Sequence, residues 1–169
     1  MTIATIQVPA QYFGLGLISP VFAKSLYTNN PDVEKLLKQA ASQSDQGNPD
    51  AALRLYQQAL DLAKAKGDLL GEGNSIHKMG SIYLYDLSQP EKARTYYQKA
   101  LEIAQSIPNA LLEARALINL GNTYKVQGNI PQSLAYHEKS LIAARKAQSC
   151  QVEATALETL SYEIGRAHV

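Results

Sequence analysis

The sequence predicts an all-α fold, a solenoid of stacked antiparallel helix hairpins, and three observations carry that prediction. The first is the stretch Ala116 to Ala147, ALINLGNTYKVQGNIPQSLAYHEKSLIAARKA, which reads as two amphipathic helices and a tight turn. Leu117, Leu120, Gly121 and Tyr124 fall at helical spacing, Gly128-Asn129 breaks the pattern, and Leu134, His137, Leu141 and Ala144 then share one face. The second is repetition. HKMGSIYLY around Gly80 and ALETLSY around Ser161 align with LINLGNTY, and Gly121 minus Gly80 is 41 while Ser161 minus Gly121 is 40. Ala52, Ala93 and Ser133 follow each other at 41 and 40, as do Ala59, Ala100 and Ser140, so two independent sets of positions give one period. The third is composition. Apolar residues make up 46% of the 169, ample for a core, and the chain is rich in Tyr, Ala and Leu with few β-branched runs, which favours helix over sheet. A single hairpin of this kind cannot bury its apolar faces, so neighbours must stack on it.

Residues 1–23 differ from everything after them. No charge occurs before Lys24, and Tyr12 to Ile18 is a short apolar run. Val21-Phe22-Ala23 sets small residues at the spacing a signal peptidase reads, so this stretch is expected to be a signal peptide cleaved after Ala23, or else a disordered arm. Pro9, Gly14, Gly16 and Pro20 interrupt it too often for a stable membrane span. Residues 24–30 form a polar linker. Asn30-Pro31-Asp32 then opens the first helix, with a capping side chain, a proline at the first helical position and an acid near the positive helix end.

The repeat domain is expected over residues 31–162. The first helix runs to about Gln46, Gly47-Asn48-Pro49 turns the chain, and the second helix runs to Lys66 with Leu53, Tyr56, Leu60 and Ala63 on one face. The second repeat spans about 69–107, with helices at 71–87 and 90–106. The third spans 110–148, with helices at 110–127 and 130–147. A half repeat covers 149–162. Gly80 is a poor helix former, and its expected use is to let the paired helix approach, with Tyr97 and Ala93 packing across it. The segment Glu163 to Val169, EIGRAHV, breaks the pattern and matches the translation of a common sequencing adapter. It is expected to be foreign to the natural chain, a fragment whose repeats continue, which removes Arg166 and His168 from functional reasoning.

The signature resembles the tetratricopeptide repeat. In that family a Leu-Gly pair and a Tyr mark the first helix, and Ala…Tyr/Phe…Ala marks the second. Leu120-Gly121 with Tyr124, and Met79-Gly80 with Tyr83, match the first; Ala52, Tyr56, Ala59 and Ala93, Tyr97, Ala100 match the second. The period is longer than the usual thirty-four and looks like the long-period subclass of kinesin light chains. Departures are Ser133, His137 and Ser140 in the third repeat, Ala40 for Gly in the first, and one extra residue at the Asp86–Gln89 turn. The resemblance implies a right-handed α-α superhelix with first helices lining the concave face.

No catalytic constellation is present. His77 and His137 stand on different helices, and His137-Glu138 lacks a second His four residues on. Gly14-Leu15-Gly16 and Gly71-Glu72-Gly73 lack the strand–turn–helix setting of a nucleotide loop, and no G-x-S-x-G occurs. Cys150, the single cysteine, cannot form an internal disulfide. The chain is therefore expected to be no enzyme and to hold neither cofactor nor metal. With 16 basic and 15 acidic residues, its net charge of +1 supplies no field for nucleic acid.

What remains is a surface. The positions between core residues of the first helices are expected to face the groove. These are Asn74, His77, Ser81, Leu84 and Tyr85 in the second repeat, and Arg115, Ile118, Asn119, Asn122 and Lys125 in the third. In the first repeat, Glu34, Leu37, Ala41 and Asp45 are less distinctive. Asn amides can bond an extended peptide backbone, and Arg or Lys a carboxylate; in the family resembled, Asn at the place of Asn122 contacts ligand backbone. The expected function is a scaffold that holds a protein or peptide in that groove. The alternatives are the N-terminal sensing arm of a longer bacterial protein such as a caspase-like (CHAT) peptidase, and a cytoplasmic peptide-responsive regulator. The chain is expected to be exported to the periplasm; the alternative location, the cytoplasm, goes with the third reading. The unpaired last helix, Val152–Tyr162 with Ala154, Leu157 and Leu160 on its apolar face, is expected to be the least stable or to self-associate.

Overall fold

The structure is a computed structural model whose described residues are 28–167; the signal-peptide and arm readings of residues 1–23, and His168, lie outside them. The described residues form seven α-helices and no strand: α1 (Pro31–Asp45), α2 (Pro49–Lys66), α3 (Leu69–Ser81), α4 (Pro90–Ser106), α5 (Ala110–Val126), α6 (Ile130–Lys146) and α7 (Cys150–Ala167). Local chemistry sets their ends. The Asn30 side chain accepts from the Asp32 and Val33 N–H groups, Asp68 caps Gly71, Asn109 caps Leu112 and Asn129 caps Gln132. Pro49, Pro90 and Pro131 each sit within the first two helical positions, where a missing N–H costs nothing. Gly47 and Gly128, both at φ 76°, make the turns inside the first and third hairpins.

Each helix packs on the next along the chain, and α1–α3, α3–α5 and α5–α7 also touch one another. Successive even-numbered helices make no comparable contact. The odd-numbered helices are therefore the closely spaced layer, on the inside of the curve. Between the layers runs a spine in which a small residue meets a ring. A Cβ added to Gly80 would stand 2.8 Å from Tyr97 Cε1, and one added to Gly121 would fall on the His137 ring. Tyr97 and His137 are fully buried, as are Ala93, Ala100, Ser133 and Ser140 around them. In the first hairpin Ala40 takes the glycine place, buried in one cluster with Tyr56 and Ala52. The serines of the third hairpin satisfy their hydroxyls locally: Ser133 Oγ donates to the Gly121 carbonyl at 2.9 Å and Ser140 Oγ to the His137 carbonyl at 2.7 Å.

Three features depart from the expected outline. The extra residue before the second-hairpin turn does not lengthen a loop. It is taken up inside the helix, where Ile82–Asp86 forms a π-helical turn and the Leu87 N–H bonds the Ile82 carbonyl five residues back. Ser88, at φ 52°, then stands where the other hairpins use glycine. Helix α7 does not stop at Tyr162 but continues to Ala167, since Gly165 is the lone poor helix former in that stretch. Its buried face is Val152, Ala156 and Leu160, of which Val152 and Ala156 pack on α5 and α6; Leu160 turns inward while Ala154 and Leu157 remain exposed. Among the described residues, no helix is long and apolar enough to cross a membrane.

Candidate functional site

The inner layer presents a cleft where α3, α5 and α7 come together. It has a volume of about 340 Å³ and is lined by His77, Lys78 and Ser81 from α3, Arg115, Ile118 and Asn119 from α5, and Gln151, Val152 and Thr155 from α7. Five of the residues expected to face a groove thus converge: His77, Ser81, Arg115, Ile118 and Asn119. The sequence reasoning missed Lys78 and the three α7 residues, although the repeat register held the signal. Asn119 minus Lys78 is 41 and Thr155 minus Arg115 is 40, so both missed positions are register equivalents of expected ones.

A directed chain of hydrogen bonds borders the cleft. The Asn122 amide donates to the Tyr85 hydroxyl at 3.0 Å, Tyr85 donates to Asn119 Oδ1 at 3.2 Å, and the Asn119 amide faces His77 Nε2 at 2.9 Å. Each bond fixes the direction of the next. With its oxygen turned to Tyr85, Asn119 must offer N–H to His77, which requires an unprotonated Nε2. Electrostatics agree: burial first, then the charges of Lys78 and Arg115, hold His77 down to about 3, and a hydrogen bond with the Arg115 backbone opposes them more weakly. Burial raises the Tyr85 phenol, and its bond from Asn122 works in the other direction. Tyr85 stands in the π-helical turn that takes up the surplus residue at the end of α3, and its side chain reaches α5 from there.

Other expected residues are used differently. Asn74 is buried, 3% exposed, and its amide donates to the Leu70 carbonyl at 3.0 Å, so it does not line the cleft. That turn of α3 is enclosed, with Gly71, Gly73, Ser75 and Ile76 around it buried as well. Leu84 is buried beside Ala93, Tyr97 and Leu120. Lys125 lies over the Tyr162 ring, 4.4 Å from its centre, and joins α5 to α7. In the first hairpin Glu34 pairs with Lys38 at 2.7 Å, and Leu37 packs against the core. Ser81 does reach the cleft; its hydroxyl bonds the His77 carbonyl and receives the Tyr97 O–H, each at 3.3 Å. Among the described residues, no group of three or more His, Cys, Asp or Glu could hold a metal ion.

A family model described as tetratricopeptide repeat matches residues 32–106 and 71–146, which overlap and together span 32–146. No curated protein matches the chain. Among solved structures, the tetratricopeptide repeat domain of Arabidopsis FLU superposes with a TM-score of 0.62 at 16% identity, over 68% of this chain and 96% of that one. The signal transduction ATPase with numerous domains and a tetratricopeptide repeat sensor from Pyrococcus horikoshii gives 0.69 at 22% identity, over 78% of this chain and 20% of that one. The Sgt2 tetratricopeptide repeat domain from Aspergillus fumigatus gives 0.59 at 20% identity, over 82% and 83%. These likenesses concern the fold.

Proposed function

The chain belongs to the tetratricopeptide repeat family, and from that premise we propose that it is an interaction scaffold taking an extended, carboxylate-bearing peptide into the cleft between α3, α5 and α7. The observation that carries this reading is the lining of the cleft. Lys78 and Arg115 are its charged side chains, and no carboxylate occurs among the described residues that line it. The Asn119 and Gln151 amides can bond a peptide backbone, while Ile118 and Val152 supply an apolar floor. A carboxylate would meet two cations in a partly desolvated trough, where charge-assisted hydrogen bonds are stronger than at an open surface.

The test is an array of extended peptides of varied charge, probed with the full chain. Acidic peptides are expected to be retained, and Lys78→Ala with Arg115→Ala to weaken retention at least tenfold, about 1.4 kcal/mol. Asn119→Ala should weaken neutral and acidic peptides alike, through lost backbone bonds. Equal retention of acidic and basic peptides, or indifference to the Lys78→Ala with Arg115→Ala variant, would overturn the assignment.

A further inference from the structure

Away from the cleft, each of the second and third hairpins carries a stacked pair of tyrosines. Tyr83 of the π-helical turn faces Tyr96 of α4, with ring centres 5.1 Å apart and planes 23° from parallel. Tyr124 of α5 faces Tyr136 of α6 at 5.3 Å and 13°. The pairs are in register: Tyr124 minus Tyr83 is 41, and Tyr136 minus Tyr96 is 40. The near-parallel planes set the two rings of each pair face to face, with their edges within reach of each other. All four rings are half-buried, so a small oxidant reaches them without unfolding. Cations hold the stacks in place, with Lys92 Nζ 5.4 Å from the Tyr83 ring centre, Lys139 Nζ 5.4 Å from that of Tyr136 and Arg94 5.7 Å from that of Tyr124.

We propose that Tyr83–Tyr96 and Tyr124–Tyr136 are sites of intramolecular oxidative coupling, each able to close into a dityrosine that ties the two helices of its hairpin. The chemistry needs a peroxide-driven one-electron oxidant. Each phenol loses one electron and its hydroxyl proton, giving two phenoxyl radicals. Their ortho carbons join in a new C–C bond, and the two displaced ortho hydrogens move to the oxygens as the rings regain aromaticity. Two hydrogens leave per cross-link, and one hydrogen peroxide is reduced to two waters. Radical coupling ordinarily waits on diffusion, whereas here the partner ring is already stacked alongside, the circumstance in which pre-orientation gives its largest gain. The first hairpin is an internal control, since Gln43 and Leu55 stand at the equivalent positions and cannot couple.

The experiment treats the dilute full chain with a haem peroxidase and hydrogen peroxide, then reads dityrosine fluorescence and maps cross-linked peptides by mass spectrometry. The expected product is a monomer four hydrogens lighter, with links 83–96 and 124–136, melting at a higher temperature than untreated chain. Tyr83→Phe should leave only the 124–136 link. Tyr83→Phe with Tyr124→Phe should lower the intramolecular yield by about tenfold or more, because pre-orientation is lost at both sites. Phe keeps each stack, and the map of the unsubstituted chain decides the matter even if a variant folds poorly. Cross-links mainly between chains, or on exposed Tyr85 and Tyr162 rather than the stacked pairs, would overturn the proposal.

Discussion

In hairpin α3–α4 Gly80 meets the Tyr97 ring, with Ala93 and Ala100 beside it; in hairpin α5–α6 Gly121 meets His137, with Ser133 and Ser140 in the alanine places. One spine is apolar and the other carries three polar side chains, yet both are fully buried and both leave no room for a Cβ on the glycine. The polar version closes because its hydroxyls find carbonyls within reach, one across the hairpin and one three residues back. The comparison teaches that this spine selects for thickness: a flat ring against a bare backbone, flanked by side chains of one or two heavy atoms. Polarity is tolerated where the backbone supplies a partner.

The sharpest way to break the comparison is to remove the rings. Tyr97→Ala is expected to cost about 3–5 kcal/mol, read by urea or thermal unfolding. His137→Ala should cost a large share of that figure. A near-zero cost for His137→Ala would mean that the third hairpin does not depend on its ring, and the equivalence of the two spines would fail.

Filling the glycine place comes next. Gly121→Ala should destabilise by about 1–3 kcal/mol through overpacking, despite the roughly 1 kcal/mol that alanine gains in a helix. Gly80→Ala should cost less, because the added carbon would stand 2.8 Å from the nearest Tyr97 atom, whereas at Gly121 it would fall closer still to the nearest His137 atom. If both variants became more stable, the close approach would not be a constraint.

Acid sharpens the comparison at the joint between the hairpins. His77 on α3 is held neutral against Asn119 on α5, well below its ordinary 6.5, at about 3. The unfolded chain therefore binds one more proton than the folded chain between those values. Stability should fall as pH drops from 6.5 toward 3, by at most about 1.4 kcal/mol per pH unit from this group. His77→Gln should flatten that slope in unfolding measured across pH. An unchanged slope would assign acid sensitivity elsewhere.

The smallest effect expected is at Ser133. Ser133→Ala should change stability by less than about 1 kcal/mol, since it restores the residue of the other hairpins and removes one neutral hydrogen bond. A cost above 2 kcal/mol, read by the same unfolding, would make that bond a requirement of the third hairpin.

Most helix ends were legible in the sequence, because Gly47, Gly128, Pro49, Pro90 and Asn30 act through backbone chemistry that no tertiary contact reverses. The spine was legible for a related reason: small and aromatic residues recurred at one spacing. The cleft was half legible. Residue spacing placed His77, Ser81, Arg115, Ile118 and Asn119 together, but Asn74 shares their phase and is nonetheless buried, since burial depends on what the neighbouring helix brings to that level. The π-helical turn was visible only as a surplus residue. A count cannot tell whether an insertion swells a loop or a helix, and Tyr85's bonds to Asn119 and Asn122 follow from that hidden choice.

The same turn has a consequence for how such arrays vary. From Gly80 to Ala93 is 13 residues, and from Gly121 to Ser133 is 12, yet the outer helix begins at the same level of the stack in both. The surplus residue is absorbed within one widened coil, and the small-residue spine of the next hairpin keeps its place. Register in this molecule is thus renewed at every ring-on-glycine contact and not carried forward by counting, so neighbouring units can drift apart in length without loosening their grip on each other.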